Sequence, residues 1–283
     1  MSEARIQTVT GAVSVSVFDG PVLPREHLRA DMRWGVGVTS DPGRWVDEEL
    51  YVTRELKELL RDHGLNMVVD QTCMGMGRDA SALARTAAGS RVAVVAASGY
   101  ASDPFAADHL RRYDVNDLTG DLLREIGAGL DGTSVRPGVV VATAWGETPT
   151  AYEERAVRAA ARAAIRTGLP IAADSLGLLE IVLSEGVHAS RVSVRSNDPL
   201  VQRKIAETGA YADVTDADHA LALLESGLAD RILLSSGVSR QAGLKAYGGA
   251  GYGRLFAELI PAIGIADVLP IVRDNPLRWL SLT

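Results

Sequence analysis

Short apolar runs alternate with longer amphipathic segments along most of this chain. Residues 91–97 and 138–143 are apolar with hardly a polar position between them, which is typical of strands covered on both faces in a parallel sheet. Residues 152–167 instead carry apolar side chains at helical spacing, and Gly168 follows them in the position of a helix C-cap. The pattern therefore predicts a repeated strand–helix unit.

Eight such units fit the chain. The first predicted strand ends near residue 24, and the other strands are 67–70, 91–97, 138–143, 170–173, 192–194, 211–214 and 232–235. Helices are predicted at 46–62, 152–167, 177–185, 199–207, 217–226 and 253–263. Residues 1–20 alternate in the manner of a small exposed β-hairpin outside the repeat.

This rhythm predicts an α/β fold, a single (β/α)8 TIM barrel spanning residues 1–283 and preceded by a short N-terminal β-hairpin. A doubly wound open sheet is the alternative, but the glycine fingerprint expected after its first strand is absent. In a barrel, chemistry is located at the carboxyl ends of the strands. The residues that directly follow each apolar run are therefore the candidates for a functional site.

Composition narrows the possible functions. The 283 residues are 47% hydrophobic and carry a formal charge of -7, which disfavours a nucleic-acid surface because that requires a clustered basic face. The single cysteine, Cys73, excludes an internal disulfide and favours a reducing cytoplasm. No membrane-length apolar run and no signal-peptide pattern is present. We expect a cytoplasmic protein that binds a small molecule, and neither nucleic acid nor a membrane.

Several motifs resemble the phosphotriesterase family of the amidohydrolase superfamily. The first predicted strand leads into Arg25-Glu26-His27, where the family has His-x-His. Val69-Asp70-Gln71-Thr72 and Gly77-Arg78-Asp79 are similar to two further family motifs, as are Ala96-Ala97-Ser98-Gly99-Tyr100 and the Asn275-Pro276-x-Arg278-x-Leu280 ending. The resemblance spans nearly the whole chain and implies a barrel hydrolase, with a homodimer as a reasonable assembly.

The same resemblance implies a dinuclear metal centre that this chain lacks the ligands to build. The positions that match the six family ligands are Arg25, His27, Val141, Asp174, Ser196 and Gly237. Only His27 keeps the family residue. The chain has five histidines, and only His27 and His109 are expected near the active end, whereas each zinc ion needs about four ligands. We therefore expect no metal and no other cofactor.

Charged residues at the vacated positions suggest catalysis without a metal. Arg25 is a candidate clamp for an anion or an oxyanion, and its alternative is a salt bridge to Asp174 that closes a dead site. His27 is a candidate general base, or else a hydrogen-bonded remnant of the metal site. Asp174 is a candidate acid, base or cation ligand. Cys73 is a candidate nucleophile if Arg25 lowers the pKa of its thiol, but small buried cysteines are common.

Candidate substrate-binding residues lie in the loops at the same end. They are Trp145, Glu147, Ser196, Arg240, Lys245 and Tyr247. Arg195 is expected to face away from the barrel interior, because it neighbours Ser196 in the alternation of the sixth strand. The glycine-rich segment 237–253 is either a mobile lid over an anion or an ordinary flexible loop.

These residues lead to a hypothesis with two alternatives. The first is a metal-independent enzyme that performs acid–base chemistry, as hydrolysis, elimination or cyclisation, on a small anionic or lactone- or ester-like metabolite. The second is a non-catalytic protein that binds a ligand or a partner, which the small replacements at Val141, Ser196 and Gly237 favour. The third is a metal-dependent lactonase or esterase with a non-standard mononuclear site.

Overall fold

The computed structural model describes residues 3–146, 148–264, 266 and 268–282. Its first element is an antiparallel hairpin of β1 (Arg5–Thr8) and β2 (Gly11–Ser14), which confirms the predicted hairpin with strands a few residues earlier in the chain. The hairpin is less exposed than expected, because Ile6 is fully buried and the Arg5 and Leu282 backbones exchange two hydrogen bonds. It therefore fastens the C-terminal segment to the start of the chain.

The parallel strands of the barrel agree with the predicted apolar runs. They are β3 (Val22–Glu26), β6 (Met67–Asp70), β7 (Ala93–Val95), β8 (Ala97–Tyr100), β9 (Val139–Ala142), β10 (Ile171–Ala173), β11 (Val192–Arg195), β12 (Tyr211–Val214) and β13 (Ile232–Leu234). Between β3 and β6 lies a short antiparallel pair outside the barrel, β4 (Ala30–Asp31) and β5 (Trp45–Val46). Ala96 interrupts the third barrel strand, so that the strands form one ladder of β3, β6 and β7 and another from β8 to β13. Nearly every residue in these strands is buried, as both faces of a parallel sheet require.

The eighth and first barrel strands, β13 and β3, are joined beyond their ends by a side chain. The carboxylate of Glu26 accepts the backbone N–H groups of Ser236, Gly237 and Val238 at 2.8, 3.0 and 2.6 Å. Gly237 has φ of +77°, a conformation that favours glycine. The N–H of His27 also donates to the Val238 carbonyl at 2.9 Å. Glu26 is fully buried, so these bonds connect the two ends of the strand series away from solvent.

Helices surround the strands. They are α1 (Glu49–His63), α2 (Ala80–Ser90), α3 (Asp103–Leu110), α4 (Val115–Ala128), α5 (Ala151–Thr167), α6 (Leu176–Ser184), α7 (Pro199–Glu207), α8 (Ala217–Glu225), α9 (Ile260–Ile263) and α10 (Asn275–Leu280). The best predicted helix, α5, has a capping box of Thr150 and Glu153 and ends at Gly168 in a left-handed conformation. No helix in the described part of the chain is long and apolar enough to cross a membrane.

Two parts of the helical prediction need correction. No helix was predicted for the segments that form α2, α3 and α4. One helix was predicted over 253–263, where the chain instead has a π-helical turn at Leu255–Leu259 followed by the short α9. Pro261 lies in that short helix, and a proline is tolerated only near the beginning of a helix because it has no N–H to donate.

Candidate functional site

A cavity of about 610 Å3 opens at the carboxyl ends of the barrel strands. We call it the mouth cavity. Its charged lining residues are Arg25, Arg44, Asp174, Arg195 and Arg240. Its apolar wall consists of Met32, Met76, Phe105, Val141, Ala144 and Trp145. The described lining thus contains four guanidinium groups and one carboxylate beside an apolar surface, a composition suited to an anion with an apolar part.

Arg25 points from the end of β3 towards β12. Its Nε lies 3.4 Å from Oδ2 of Asp213, whose other carboxylate oxygen accepts a hydrogen bond from Oγ of Ser235 at 3.0 Å. Burial raises the pKa of Asp213 to about 6, although the Arg25 charge opposes that rise. The alternative of an Arg25–Asp174 salt bridge is therefore wrong, because the partner of Arg25 is a carboxylate that the sequence analysis did not consider.

Asp174 and Arg195 face the mouth cavity without a close protein partner. Asp174 follows β10, and Arg195 ends the neighbouring β11. Within the described part of the chain, neither side chain has a hydrogen bond or a close ion pair. Burial raises the pKa of Asp174, and the charges of Arg195 and Arg25 partly offset that rise. The pKa of Arg195 is lowered, chiefly by the nearby charge of Arg25, so two guanidinium groups share this end of the cavity.

His27 is held as a neutral imidazole. Its Nδ1 lies 2.8 Å from the hydroxyl of Thr72, and its carbonyl accepts the Tyr252 hydroxyl at 2.8 Å. Burial and the charges of Arg25 and Arg195 lower the pKa of His27 to about 3. Such a ring is a weak base near neutral pH. It remains able to donate or accept a hydrogen bond from the ring nitrogen that Thr72 does not use.

Trp145 and Arg240 form part of the rim of the mouth cavity. The Arg44 guanidinium lies 4.8 Å from the centre of the Trp145 ring, and Phe105 meets that ring edge-on at 5.4 Å. Arg240 pairs with Asp41 at 2.9 Å. Glu153 fixes the position of the loop after β9, because its carboxylate accepts a hydrogen bond from the backbone N–H of Trp145 at 2.9 Å. Glu147, also predicted to bind substrate, lies outside the described residues.

Four other predicted site residues do not line the mouth cavity. Cys73 is fully buried, and burial raises the pKa of its thiol, which argues against a nucleophile. Ser196 turns its hydroxyl to the N–H of Asp198 at 3.1 Å. Lys245 and Tyr247 lie in the long segment after β13, away from the cavity lining.

His109, the other histidine expected near the active end, lies on α3. It packs against the rings of Tyr100 and Tyr113 at 5.2 and 4.8 Å. Its Nε2 is 3.1 Å from the Asp121 carboxylate. These contacts place it among helices α3 and α4 rather than in the mouth cavity.

The segment 237–253, predicted as a mobile lid or a flexible loop, is fastened at several points. The carboxylate of Glu55 accepts the N–H groups of Lys245 and Tyr252 at 2.7 and 3.2 Å. Glu48 accepts the Tyr247 hydroxyl at 2.5 Å. Glu48 directly precedes α1 and Glu55 lies in the middle of it. The first helix and the residue before it therefore hold segment 237–253 in place.

The residues of the mouth cavity do not fit the dinuclear metal centre that the resemblance implies. Within the described ranges, no group of three or more His, Cys, Asp and Glu side chains is arranged to hold a metal ion. His27 and Asp174 are the two such residues in the cavity lining, and the guanidinium groups of Arg25 and Arg195 accompany them. Guanidinium groups only donate hydrogen bonds and repel cations.

A parallel α/β barrel with ionisable side chains gathered at the carboxyl ends of its strands has the architecture of a barrel enzyme. The family model of the phosphotriesterase family matches residues 4–280. The chain therefore belongs to the phosphotriesterase family.

Several relatives cover more than nine-tenths of the chain. It is 30% identical to the phosphotriesterase homology protein of Escherichia coli, over 93% of this chain and 98% of the relative. The crystal structure of the E. coli protein, with phosphate in its active site, superposes with a TM-score of 0.85 and covers 93% of this chain and 99% of that one. An N-acetyltaurine hydrolase of Danio rerio is 26% identical over 99% of each chain. A resiniferatoxin-binding protein from Rhodobacter sphaeroides has 27% identity and a TM-score of 0.84, with 98% of this chain and 94% of that one covered.

Proposed function

We propose that this chain is a phosphotriesterase-family enzyme whose dinuclear metal site has been lost, and that it acts on a small anionic or lactone- or ester-like metabolite by acid–base chemistry. One observation carries the proposal. Asp174 and Arg195, on adjacent strands, face the same cavity with opposite charges, and neither side chain has a hydrogen bond or a close ion pair to a described residue. Asp174 is half-buried and Arg195 is exposed, so both charges are open to a ligand that enters the cavity and interacts with both.

The residues take distinct roles in a base-assisted hydrolysis. The carboxylate of Asp174 removes a proton from water as the water oxygen attacks the substrate carbonyl, and the resulting oxyanion is stabilised by Arg25 or Arg195. When the carbon–oxygen bond to the leaving group breaks, the protonated Asp174 returns its proton to that group. Neutral His27 orients the substrate by a hydrogen bond. Asp174 as the base and Arg25 and Arg195 as the cations could equally serve an elimination or a cyclisation. The substrate therefore determines which of these reactions takes place.

The relatives support an anionic substrate. The E. coli structure is described with phosphate in its active site, and an N-acetyltaurine hydrolase acts on a small anion. A substrate panel for this chain should therefore contain lactones, carboxylic and phosphoric esters, and N-acyl derivatives of amino sulfonates. We place the enzyme in the cytoplasm on the strength of its single cysteine, Cys73, and propose a homodimer from the family resemblance.

A non-catalytic binding protein is the second candidate. The apolar wall of the mouth cavity, with Phe105 and Trp145 in contact, favours it, and one relative is named as a resiniferatoxin-binding protein. A compound that binds tightly to the protein and is recovered unchanged after long incubation would support this candidate over the enzyme.

Metal content distinguishes the proposal from a mononuclear metallohydrolase. We expect elemental mass spectrometry of protein expressed with added zinc, manganese and cobalt to find less than about 0.1 equivalent after dialysis, because a stable site needs more ligands than His27 and Asp174 supply. A value of about one equivalent that disappears in His27→Ala would instead establish a metal site.

Anion binding in the mouth cavity should depend on pH. Asp213 competes with a ligand for Arg25, and its pKa of about 6 means that it becomes neutral below that pH. Protonation of Asp174, whose pKa is also raised, acts in the same direction. We expect sulfate, which keeps its charge, to bind about tenfold more tightly at about pH 5 than at about pH 7.5. His27, with a pKa of about 3, stays neutral in this range.

Calorimetric titration of sulfate at several pH values measures this effect. The Asp213→Asn variant should bind sulfate tightly at every pH tested. Its sulfate affinity should lack the change with pH that is centred near pH 6 in the unmodified protein. Affinity that is constant in the unmodified protein, or that falls on acidification, would show that neither carboxyl group competes for the arginines.

A further inference from the structure

A second cavity of about 580 Å3 lies at the opposite end of the barrel. It is lined by residues that precede β10, β11 and β13 and by the C-terminal segment, which places it at the amino ends of the strands. Its lining residues are Thr167, Gly168, Ser190, Arg191, Tyr211, Arg231, Arg278, Ser281 and Leu282. We call it the base cavity. From its three arginines and one unsatisfied hydroxyl we infer that it binds a small, multiply charged oxyanion of the phosphate or pyrophosphate type.

The positive charge of the base cavity is poorly compensated. Among its three arginines, only Arg231 has a carboxylate partner within the described residues, Asp230 at 3.4 Å. Arg278 donates to the neutral Asn275 side chain at 2.5 Å. Arg191 donates only to backbone carbonyls, at 2.8 to 2.9 Å. Three guanidinium groups that have, among the described residues, one largely exposed counter-charge attract an anion.

Arg191 has a structural role that the other two arginines lack. Its guanidinium bonds to the carbonyls of Trp279, Ser281 and Gly168, and these bonds hold the C-terminal segment against the barrel. Arg231 and Arg278 make no comparable hydrogen-bonded link between distant segments within the described ranges. Their charges are therefore the ones available to a ligand, and they can be removed without detaching the C-terminal segment.

Tyr211 supplies an observation that is independent of charge. Its side chain is only 2% exposed, it lines the base cavity, and its hydroxyl has no hydrogen-bond partner in the part of the chain that the structure describes. This oxygen is not one of the unpaired polar atoms that the described structure seals from solvent, so it opens into the cavity, where a ligand can accept its hydrogen bond. The Arg231 guanidinium lies 5.6 Å from the centre of the same ring, so an oxyanion next to it can accept bonds from both.

The donors of the base cavity select the class of ligand. Guanidinium groups only donate, and a phosphate oxygen accepts two parallel N–H bonds from one of them. A single carboxylate would satisfy one arginine, whereas a phosphate or pyrophosphate has enough acceptor oxygens to meet Arg231, Arg278 and the Tyr211 hydroxyl together. This site does not depend on the proposed function, because it shares no lining residue with the mouth cavity.

Calorimetric titration with pyrophosphate tests the inference. The full chain with Arg25→Met is used as the background, because this change weakens the mouth cavity and leaves the base cavity intact. We expect one binding event in this background, weakened at least about tenfold by either Arg231→Met or Arg278→Met. Tyr211→Phe removes only the hydroxyl and should weaken binding several-fold. Arg203→Met is the control, since Arg203 pairs with Glu207 on the surface.

The outcomes separate the two proposals. Pyrophosphate that binds the unmodified chain but not the Arg25→Met background would overturn the base site and leave the mouth site standing. Equal weakening by Arg203→Met and by Arg231→Met would reduce the base cavity to general surface charge and would also overturn the inference. Binding that survives in the background and is lost with Arg278→Met supports the base site, whatever the mouth cavity does. Thermal unfolding of each variant verifies that it is folded.

Discussion

Asp174→Asn is expected to lower kcat/KM by about 10²- to 10⁴-fold on any substrate found by the panel described above, because an amide cannot accept the proton that the carboxylate accepts. The substitution preserves the size of the side chain. Since the Asp174 side chain has no hydrogen bond or close ion pair to a described residue, the fold should lose little stability. The loss should be mainly in kcat, whereas Arg25→Met should mainly raise KM if Arg25 holds the ground-state anion.

The measurement is steady-state kinetics with thermal unfolding of the same samples. Asp108→Asn is the matched control, because Asp108 is exposed on α3 and does not line the mouth cavity. It should leave both kinetic constants unchanged. The activity of the unmodified enzyme should rise with pH as Asp174 ionises, since only the ionised form is a base. If Asp174→Asn, Arg25→Met and His27→Ala all turned over substrate normally, the proposed mechanism would be wrong.

The barrel could be predicted because its signals are local. Runs such as 91–97 and 138–143 lack polar residues because both faces of these strands are covered, and the structure has β7, β8 and β9 there. Helix α5 was predicted almost to the residue, because the helical spacing of its apolar residues and the glycine that follows it, Gly168, are local signals. The segment of α3 is less regular, because it contains a non-helical residue, Ala106. Helix α4 was missed although Asp114 and Asp117 form a capping box at its start, a signal that the sequence does contain.

The composition of the site was only partly predictable. The family resemblance led to Arg25, His27 and Asp174, and all three line the mouth cavity. Arg195 was assigned the wrong face because the alternation was counted from Ser196, which lies beyond the end of β11. Counted within β11, Ser193 and Arg195 share one face and Val192 and Val194 the other. Ser193 and Arg195 are on the face that points into the barrel. The alternation within β11 therefore does predict the orientation of Arg195.

Asp213 shows the same signal. It lies on β12 between Ala212 and Val214, and it shares its face with Tyr211. A charged residue in an otherwise buried strand needs a partner, but the sequence could not identify that partner. The Arg25–Asp213 pair joins residues far apart in the chain, and only the closed order of strands brings β3 near β12.

The fastening of segment 237–253 could not be predicted for a related reason. Its glycines favour a flexible loop when they are considered alone. The bonds that hold it come from Glu26, Glu48 and Glu55, which in sequence are ordinary acidic residues. Every residue except proline has the same backbone N–H group, so the sequence does not show which of these groups is bonded to a carboxylate. A loop that distant carboxylates hold therefore cannot be distinguished from a free loop before the fold is known.

Glu26→Ala is expected to be the most destabilising substitution in this chain, with a cost on the order of 3–6 kcal/mol in the free energy of unfolding. The reason is that the backbone N–H groups of Ser236, Gly237 and Val238 would lose their common acceptor in a region closed to water. Glu26→Gln keeps one oxygen that can accept hydrogen bonds, but its NH2 group faces at least one of these backbone N–H donors. We therefore expect it to cost about half as much in the free energy of unfolding. Urea unfolding followed by circular dichroism measures both values.

Because the same bonds hold the start of segment 237–253, Glu26→Ala should also make this segment sensitive to limited proteolysis under conditions in which the protein remains folded. It should weaken sulfate binding as well, since Ser239 and Arg240 line the mouth cavity. Glu207→Ala, which removes a carboxylate from a surface pair with Arg203, is the control and should do neither. A Glu26→Ala variant within about 1 kcal/mol of the unmodified protein would mean that water or a shifted backbone replaces the carboxylate, and that the eighth and first strands are held together without it.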